Sequence, residues 1–140
     1  MAAVGLWECP RCRRRFGRSG QAHECSPAMT EAEYFATGPP HERPVFEAIR
    51  SHLESLGPVY IEFVSVGILV KADRSFAELR PMTKWVALWL ALPHPVRHRL
   101  IRRKVEQYHG RYWHVFNVPS PEDVDDDLRS HLTTAYLAAT

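Results

Sequence analysis

Three cysteines and one histidine near the N-terminus are the residues whose types and spacing best suit a chemical role. All three cysteines lie within CPRCRRRFGRSGQAHEC, residues 9–25, and His23 stands two positions before the last of them. The two residues between Cys9 and Cys12 let both thiolates face one ion from a tight turn. His23 and Cys25 are alternate residues of an extended segment, so their side chains point the same way. The four residues form a Cys3His set of the kind that structural zinc prefers.

Other uses of these cysteines fit the sequence less well. Three cysteines cannot all pair with one another, and a reducing cytosol disfavours disulfides. A thioredoxin-like Cys-x-x-Cys motif would follow a strand and open a helix within a βαβ unit, and no such pattern surrounds Cys9. A catalytic zinc ion needs an open coordination position, which four protein ligands do not leave. We therefore predict a structural Zn2+ site, with Trp7 and Phe16 packed beneath it.

Basic residues are concentrated in two segments, although the formal net charge of the 140-residue chain is only +2. One segment is the loop of the zinc site and the other lies at residues 94–111, whereas residues 119–140 are mainly acidic. Arginines on a metal-stiffened loop can contact phosphates, and aromatic side chains can stack on bases. The alternative is a solvated surface around a small metal cap. The predicted nucleic-acid-binding residues are Arg13, Arg14, Arg15, Arg18, Arg97, Arg102 and Arg103.

Composition favours one compact domain with a small appendage. Hydrophobic residues make up 45% of the chain, which is enough for a core and argues against general disorder. The N-terminus lacks the basic and apolar regions and the cleavage site of a secretory signal. The longest apolar run, WVALWLAL at residues 85–92, is much shorter than the about 20 residues of a membrane-spanning helix. We expect a soluble, cytoplasmic protein with no membrane partner.

Capping signals and apolar spacing predict three helices. Thr30 and Glu33 form a capping-box pattern, which starts a short helix at Glu31. The first main helix ends at Gly57, and its apolar face consists of Val45, Phe46, Ile49, Leu53 and Leu56. The second main helix begins after Ser120, with Pro121 in its first position. Its buried stripe consists of Val124, Leu128, Leu132 and Tyr136.

The segment between the main helices predicts an antiparallel sheet. From Pro58 the apolar period changes to alternation, and short runs are separated by turn signals. KWVALWLAL is apolar at nearly every position, which is typical of a central strand covered on both faces. YWHVFNV is a later strand, preceded by a short amphipathic helix anchored by residues 96–101. The predicted fold is α+β, an antiparallel sheet packed by two main helices, with a zinc knuckle at residues 1–26 and the α+β domain at residues 30–140.

Three motifs follow one another along the chain in a recognisable order. They are the Cys-x-x-Cys…His-x-Cys knuckle, SFAELRPM in a predicted strand and SPEDVDDDLRSHLTTAY at the end. Their order resembles an uncharacterised bacterial family, domain of unknown function 5655, in the branch that carries an N-terminal zinc knuckle. The resemblance covers most of the chain. It implies an α+β fold and an intracellular bacterial setting, and none of its motifs is an enzymatic signature.

Aromatic and polar residues on the predicted sheet suggest a second site. Trp85, Trp89 and His114 are the residues expected to line a small-molecule pocket there. The alternative is an ordinary sheet surface in which His114 is a half-buried, hydrogen-bonded histidine. No nucleophile-elbow or phosphate-cradling glycine motif is present, and the sequence leaves catalysis open. It favours a non-enzymatic zinc-binding module that contacts nucleic acid; the alternative is a small-molecule-binding or enzymatic domain with its site on the sheet and a purely structural zinc.

Overall fold

A six-stranded antiparallel sheet forms the centre of the protein, as described for residues 5–140 by a computed structural model. Its strand order is β3-β4-β5-β6-β8-β7. The strands are β3 (Tyr60–Val64), β4 (Gly67–Lys71), β5 (Ser75–Pro81), β6 (Val86–Leu92), β7 (Glu106–Tyr108) and β8 (Arg111–Val118). Two short strands, β1 (Trp7–Glu8) and β2 (Arg15–Phe16), form a separate hairpin. The helices are α1 (Glu31–Phe35), α2 (Glu42–Leu56) and α3 (Asp126–Ala138).

The two faces of this sheet have different surroundings. On one, which we call the helix face, α2 and α3 cover a core that includes Leu88 and Leu90 of β6. These two residues are paired in register with Phe116 and His114 of β8, which are also buried. Because side chains alternate along a strand, Trp89 lies on the opposite face, which we call the open face. The central position predicted for β6 and the α+β fold are confirmed.

The predicted helix before β8 is wrong. Pro93 and Pro95 each lack a backbone donor, and the segment at residues 93–105 contains bends, a turn and an isolated bridge instead. Ile101 forms that bridge with Phe116, and the Asn117 N–H donates to the Leu100 carbonyl over 2.9 Å. The segment thus pairs with β8 at the same edge of the sheet as β7, which follows it in the chain. The sequence analysis did not predict β7.

The last helix begins later than predicted. Pro121–Asp123 is a separate 3-10 turn, and Asp125 caps α3 by accepting from the Leu128 N–H over 3.0 Å. The predicted stripe of apolar residues is nevertheless buried along its full length. The spacing of these apolar residues was sufficient to identify the helix. Its start was ambiguous because Ser120 and Asp125 are both suitable N-cap residues. Within the described part of the chain, no helix has the length and apolar character needed to cross a membrane.

The β1–β2 hairpin and its metal-ligand loops, which we call the knuckle, rest on the open face through a buried cluster of charges. Glu62 of β3 is only 1% exposed, and its carboxylate lies 3.0 Å from the Lys71 ammonium of β4. From the knuckle, Arg14 Nε approaches the same carboxylate to 3.2 Å and the Arg15 N–H donates to it over 2.9 Å. Lys71 also donates to the Arg15 carbonyl over 2.5 Å. The division into residues 1–26 and 30–140 stays a prediction, and these contacts join the two parts.

Electrostatics keep the Glu62 cluster ionised. Burial alone would raise the pKa of Glu62, but the Arg15 N–H, the Lys71 ammonium and the Arg14 guanidinium together lower it. Burial lowers the pKa of Lys71, and the Glu62 carboxylate opposes that change. The Phe16 ring lies over Lys71, with the ammonium 4.4 Å from its centroid. Each charge therefore depends on partners from both parts of the protein.

We expect Glu62→Gln to lower the free energy of unfolding by about 3–5 kcal/mol, because it leaves the Lys71 ammonium buried without its counter-charge. Denaturant unfolding of the metal-loaded protein measures this loss. Glu47→Gln is the control, since Glu47 forms an exposed pair with Arg43 on α2 and should change little. A loss for Glu62→Gln no larger than that of the control would contradict the structural role of the cluster.

Candidate metal centre and nucleic-acid interface

The four residues predicted as metal ligands come together in one cluster. The ligand atoms of Cys9, Cys12, His23 and Cys25 all lie within 4.8 Å of one another. Cys9 Sγ is 3.8 Å from Cys25 Sγ, and Cys12 Sγ is 3.4 Å from His23 Nε2. This is the donor set and the mutual spacing that a single tetrahedral metal ion requires.

A tight turn between β1 and β2 presents the first two ligands. The Cys9 N–H donates to the Arg14 carbonyl and the Arg13 N–H donates to the Cys9 carbonyl, each over 2.8 Å. Arg13 adopts a left-handed conformation with φ 67°, which closes the turn within the short distance between the strands. The Cys9 and Cys12 side chains, both buried, consequently point to the same side.

The orientation of His23 is fixed by two contacts. Its Nδ1 lies 2.7 Å from the Gln21 carbonyl, which acts as the acceptor for the Nδ1 proton and leaves Nε2 free to bind a metal. Its ring stacks on Phe16 with centroids 4.1 Å apart, and Trp7 lies edge-on at 6.3 Å. The predicted packing of Trp7 and Phe16 beneath the cluster is confirmed.

The thiols of the cluster are electrostatically unequal. Hydrogen bonding, chiefly from the Cys12 backbone, lowers the pKa of Cys9 to about 6. For Cys25, desolvation and the neighbouring Cys9 and Cys12 side chains raise the pKa. Thiolates held this close repel one another, so the arrangement favours a bound cation that neutralises them together.

A second feature of the open face is a cavity of about 760 Å3 between the knuckle and the end of α3. It is lined by the β4–β5 turn and the β7–β8 turn as well. Asp73 contributes a carboxylate to this lining. The lining also contains four basic side chains and one histidine, namely Arg18, Lys71, Arg74, Arg111 and His109.

A smaller cavity of about 380 Å3 adjoins the first and shares Tyr108 with it. Its other aromatic residues are Trp89 and Trp113, and Arg80 and Glu78 at its edge form an ion pair. Glu106 and Gln107 complete the lining. The two cavities together form a depression across the open face, which we call the trough.

The β7–β8 hairpin shapes the middle of the trough. His109 and Gly110 form its two-residue turn with φ values of 51° and 77°, the backbone that tight hairpins favour. This turn places Tyr108 opposite Arg111 in register, and Tyr108 remains 63% exposed. The sequence analysis missed this hairpin, although the His-Gly pair directly before YWHVFNV was a signal for it.

Several cations in or beside the trough have no carboxylate partner within residues 5–140. Arg103 lies over the Trp89 ring at 5.1 Å, and Arg111 lies over the Trp113 ring at 5.2 Å. Arg111 also donates to the Ser75 carbonyl over 2.7 Å. Arg18 and Arg74 are exposed and likewise absent from the ion pairs of the described chain. The trough therefore has unpaired positive charge beside the partly buried rings of Trp89 and Trp113 and the exposed ring of Tyr108.

Of the seven arginines predicted to bind nucleic acid, one lines the trough and a second lies over one of its aromatic rings. Arg18 lines the larger cavity, and Arg103 covers Trp89 beside the smaller one. Arg97 and Arg102 are exposed in the segment at residues 93–105 and line neither cavity. The remaining three are engaged in ion pairs with Glu8 or Glu62, and they are Arg13, Arg14 and Arg15. The Arg14 side chain is only 11% exposed and is paired with Glu62, so it stabilises the fold and is not accessible to a ligand.

The predicted pocket of Trp85, Trp89 and His114 does not form. Trp89 lies on the open face, whereas His114 is fully buried on the helix face. Its Nδ1–H donates to the Tyr112 carbonyl over 2.9 Å, and its Nε2 accepts from the Val96 N–H over 2.9 Å. Trp85 is at the β5–β6 turn and lines neither cavity. His114 is thus a neutral histidine that ties the segment at residues 93–105 to β8.

We expect stability to fall as the pH drops below about 6.5, the pKa of histidine in an unfolded chain. Burial lowers the pKa of His114 in the folded protein, so the unfolded state gains a proton that the native state excludes. Thermal unfolding from pH 8 to 5 should show a weaker pH dependence for His114→Gln than for the native chain. The exposed His94 provides the control variant His94→Gln, and equal pH dependence in all three proteins would refute this role of His114.

Comparison with known proteins gives one match. Neither curated proteins nor solved structures contain a match to this chain. A family model, however, covers residues 31–139, which include the six-stranded sheet and the helices α1, α2 and α3. The knuckle lies outside the matched region. The resemblance inferred from the sequence is confirmed, and the chain belongs to the family described as domain of unknown function, DUF5655.

Proposed function

We propose that this protein is a non-enzymatic nucleic-acid-binding module in which a zinc-stiffened knuckle forms one wall of a basic trough. The trough receives the sugar–phosphate backbone, and its aromatic residues lie beside the bound strand. The observation that carries this proposal is the combination of Arg18, Arg103 and Arg111, which lack carboxylate partners in the described chain, with the exposed ring of Tyr108.

Zinc is the metal that best matches the knuckle. Three thiolates and one imidazole are donors that Zn2+ prefers, and they satisfy its four coordination positions. A site filled by four protein ligands supplies no position for an activated water. The metal therefore holds the β1–β2 turn in shape, and through that turn it holds Arg18 at the edge of the trough.

Charge complementarity favours a polyanion over a neutral ligand. Within residues 5–140, nine lysine and arginine side chains take part in ion pairs, and Lys71 and Arg80 of the trough lining are among them. Four cations in or beside the trough take part in none and instead face solvent or stack on rings, namely Arg18, Arg74, Arg103 and Arg111. The carboxylate of Glu78 is neutralised by Arg80, which leaves Asp73 and Glu106 as the opposing charges of the lining. A near-neutral protein can bind nucleic acid when its free positive charge is gathered on one surface in this way.

A small-molecule site is the second candidate, and the smaller cavity favours it. Its volume of about 380 Å3 is within the range that small ligands occupy in proteins. Its aromatic walls would suit a planar compound. A single nucleotide would then bind as tightly as an oligonucleotide, because the larger basic cavity would add nothing.

We expect one zinc ion per chain in protein purified without added metal, measured by elemental analysis. Cys9→Ser, Cys25→Ser and His23→Ala should each reduce the zinc content strongly, because each removes one of four ligands. His94→Ala removes an exposed histidine outside the cluster and should leave the metal content at one. Native-level zinc in the ligand variants would show that the metal binds elsewhere.

We expect labelled single-stranded oligonucleotides to bind at low salt and to dissociate as salt rises. Each phosphate contact contributes about −0.7 to the log–log salt slope for single strands, because neutralising a phosphate releases counterions. Arg18→Gln combined with Arg103→Gln should therefore reduce the magnitude of that slope by about 1.4. Fluorescence anisotropy at several salt concentrations measures it.

The matched control for this experiment is Arg43→Gln combined with Arg50→Gln, which removes the same charge from α2. Both of these arginines pair with Glu31 rather than facing the trough. The control should keep the native salt slope. Equal loss of slope in the two double variants, or no binding at low salt, would overturn the proposed function.

A further inference from the structure

We propose that the smaller cavity binds one unstacked nucleobase of a single strand, which stacks on the ring of Trp89 after Arg103 moves aside. This inference rests on the proposed function and specifies its ligand as single-stranded. The phosphates on either side of the base would lie against Arg103 on one side and the larger basic cavity on the other.

Three aromatic residues on three neighbouring strands form the base site. Trp89 belongs to β6, Trp113 to the adjacent β8 and Tyr108 to β7 at the edge. All three line the smaller cavity. In register, Trp89 is opposite Val115 and Trp113 is opposite Ala91, so the two tryptophans are diagonal neighbours on the open face. A flat aromatic ligand is the shape that fits among such rings.

Arg103 occupies the position where a base would stack. Its guanidinium lies 5.1 Å from the centre of the Trp89 ring, which is the arrangement that a planar base would replace. Arg103 is exposed, has no carboxylate partner within residues 5–140, and belongs to the irregular segment between Ile101 and β7. It can therefore leave the ring without breaking an ion pair, and its charge is then available to a phosphate.

Trp89 also has an unused hydrogen-bond donor. Its Nε1–H is shielded from solvent and has no acceptor among the described residues. Such an orphaned donor is unfavourable, and a ligand that brings an acceptor would correct it. Because this N–H lies in the plane of the indole, a base stacked on the ring face cannot supply the acceptor, but an edge oxygen or nitrogen of the neighbouring base in the strand can.

The geometry disfavours a duplex. Bases in a double helix are stacked on one another and paired, so their faces are inaccessible to a cavity on a protein surface. A base must leave the stack before it can lie on Trp89. Single strands meet this condition without the cost of unpairing, whereas the basic cavity alone would favour the duplex, which has the higher charge density.

The test compares oligonucleotides that have the same number of phosphates. Fluorescence anisotropy at low salt is measured for a base-containing single strand, an abasic single strand and a duplex, together with the free mononucleotide. We expect the base-containing strand to bind about 10-fold more tightly than the abasic strand, a ratio typical of one stacked base. The duplex should bind less tightly than the base-containing strand, and the mononucleotide far more weakly than the oligonucleotide.

Two variants and one control locate the effect. Tyr108→Ala removes an exposed ring, and Trp89→Phe keeps a ring but removes the orphaned N–H. Each should bring the affinity for the base-containing strand toward that for the abasic strand, with thermal unfolding confirming that the variant is folded. Trp85→Ala removes an aromatic ring that lines neither cavity, and it should preserve the native ratio.

Each outcome separates this inference from the proposed function. Equal binding of base-containing and abasic strands would overturn the base site while leaving the basic trough intact. Tighter binding of the duplex, or an unchanged ratio in both Tyr108→Ala and Trp89→Phe, would also overturn it. Absence of binding to every oligonucleotide would overturn the proposed function itself, as would a mononucleotide that binds as tightly as the oligonucleotide.

Discussion

The position of the knuckle depends on one buried carboxylate, that of Glu62. An ionised group this deeply buried is stable only with partners, and the sheet supplies just one of them, Lys71. The others, the Arg14 guanidinium and the Arg15 N–H, belong to the turn that also presents Cys9 and Cys12. A metal that fixes this turn therefore also fixes the partners of Glu62. Metal binding and docking are two parts of the same stabilisation.

The trough is a consequence of that docking. Two elements that are far apart in the sequence form its walls. One is the knuckle, which contributes Arg18, and the other is the β7–β8 hairpin, which contributes Tyr108 and Arg111. The floor between them is the open face of the sheet, which remains uncovered because the helices pack on the other side. A knuckle displaced from Glu62 would remove one wall and leave the aromatic residues on a flat sheet surface. Under the proposed function, a metal held by the knuckle would therefore contribute to ligand binding at a distance, without touching the ligand.

The sequence was informative where a property is local and failed where it is set by distant partners. Four ligands within residues 9–25 and the four-residue repeat of α3 depend on neighbours in the chain, and both were recognised. His114 and Trp89 could not be assigned to opposite faces, since that depends on the register between β6 and β8. Likewise, nothing near Arg14 reveals that its partner is Glu62, more than forty residues away. β7 has three exposed residues and no apolar alternation, so only its turn gave a signal.

Partners also determine what an arginine can do. Arg14 shares a buried carboxylate with an ammonium group, and its departure would leave charges uncompensated in the interior. Arg103 is exposed and rests on the partly buried indole of Trp89, and a cation–π contact made by an exposed cation is worth only about 0.5–1 kcal/mol. Solvent can take the place of the ring. The same side chain is therefore part of the scaffold in the knuckle and exchangeable in the trough. The net charge of +2 does not show this difference, because it counts ion-paired cations and available cations, those without a carboxylate partner, in the same way. The proposed recognition of a polyanion would depend on the available ones, and these lie beside the aromatic rings of the open face.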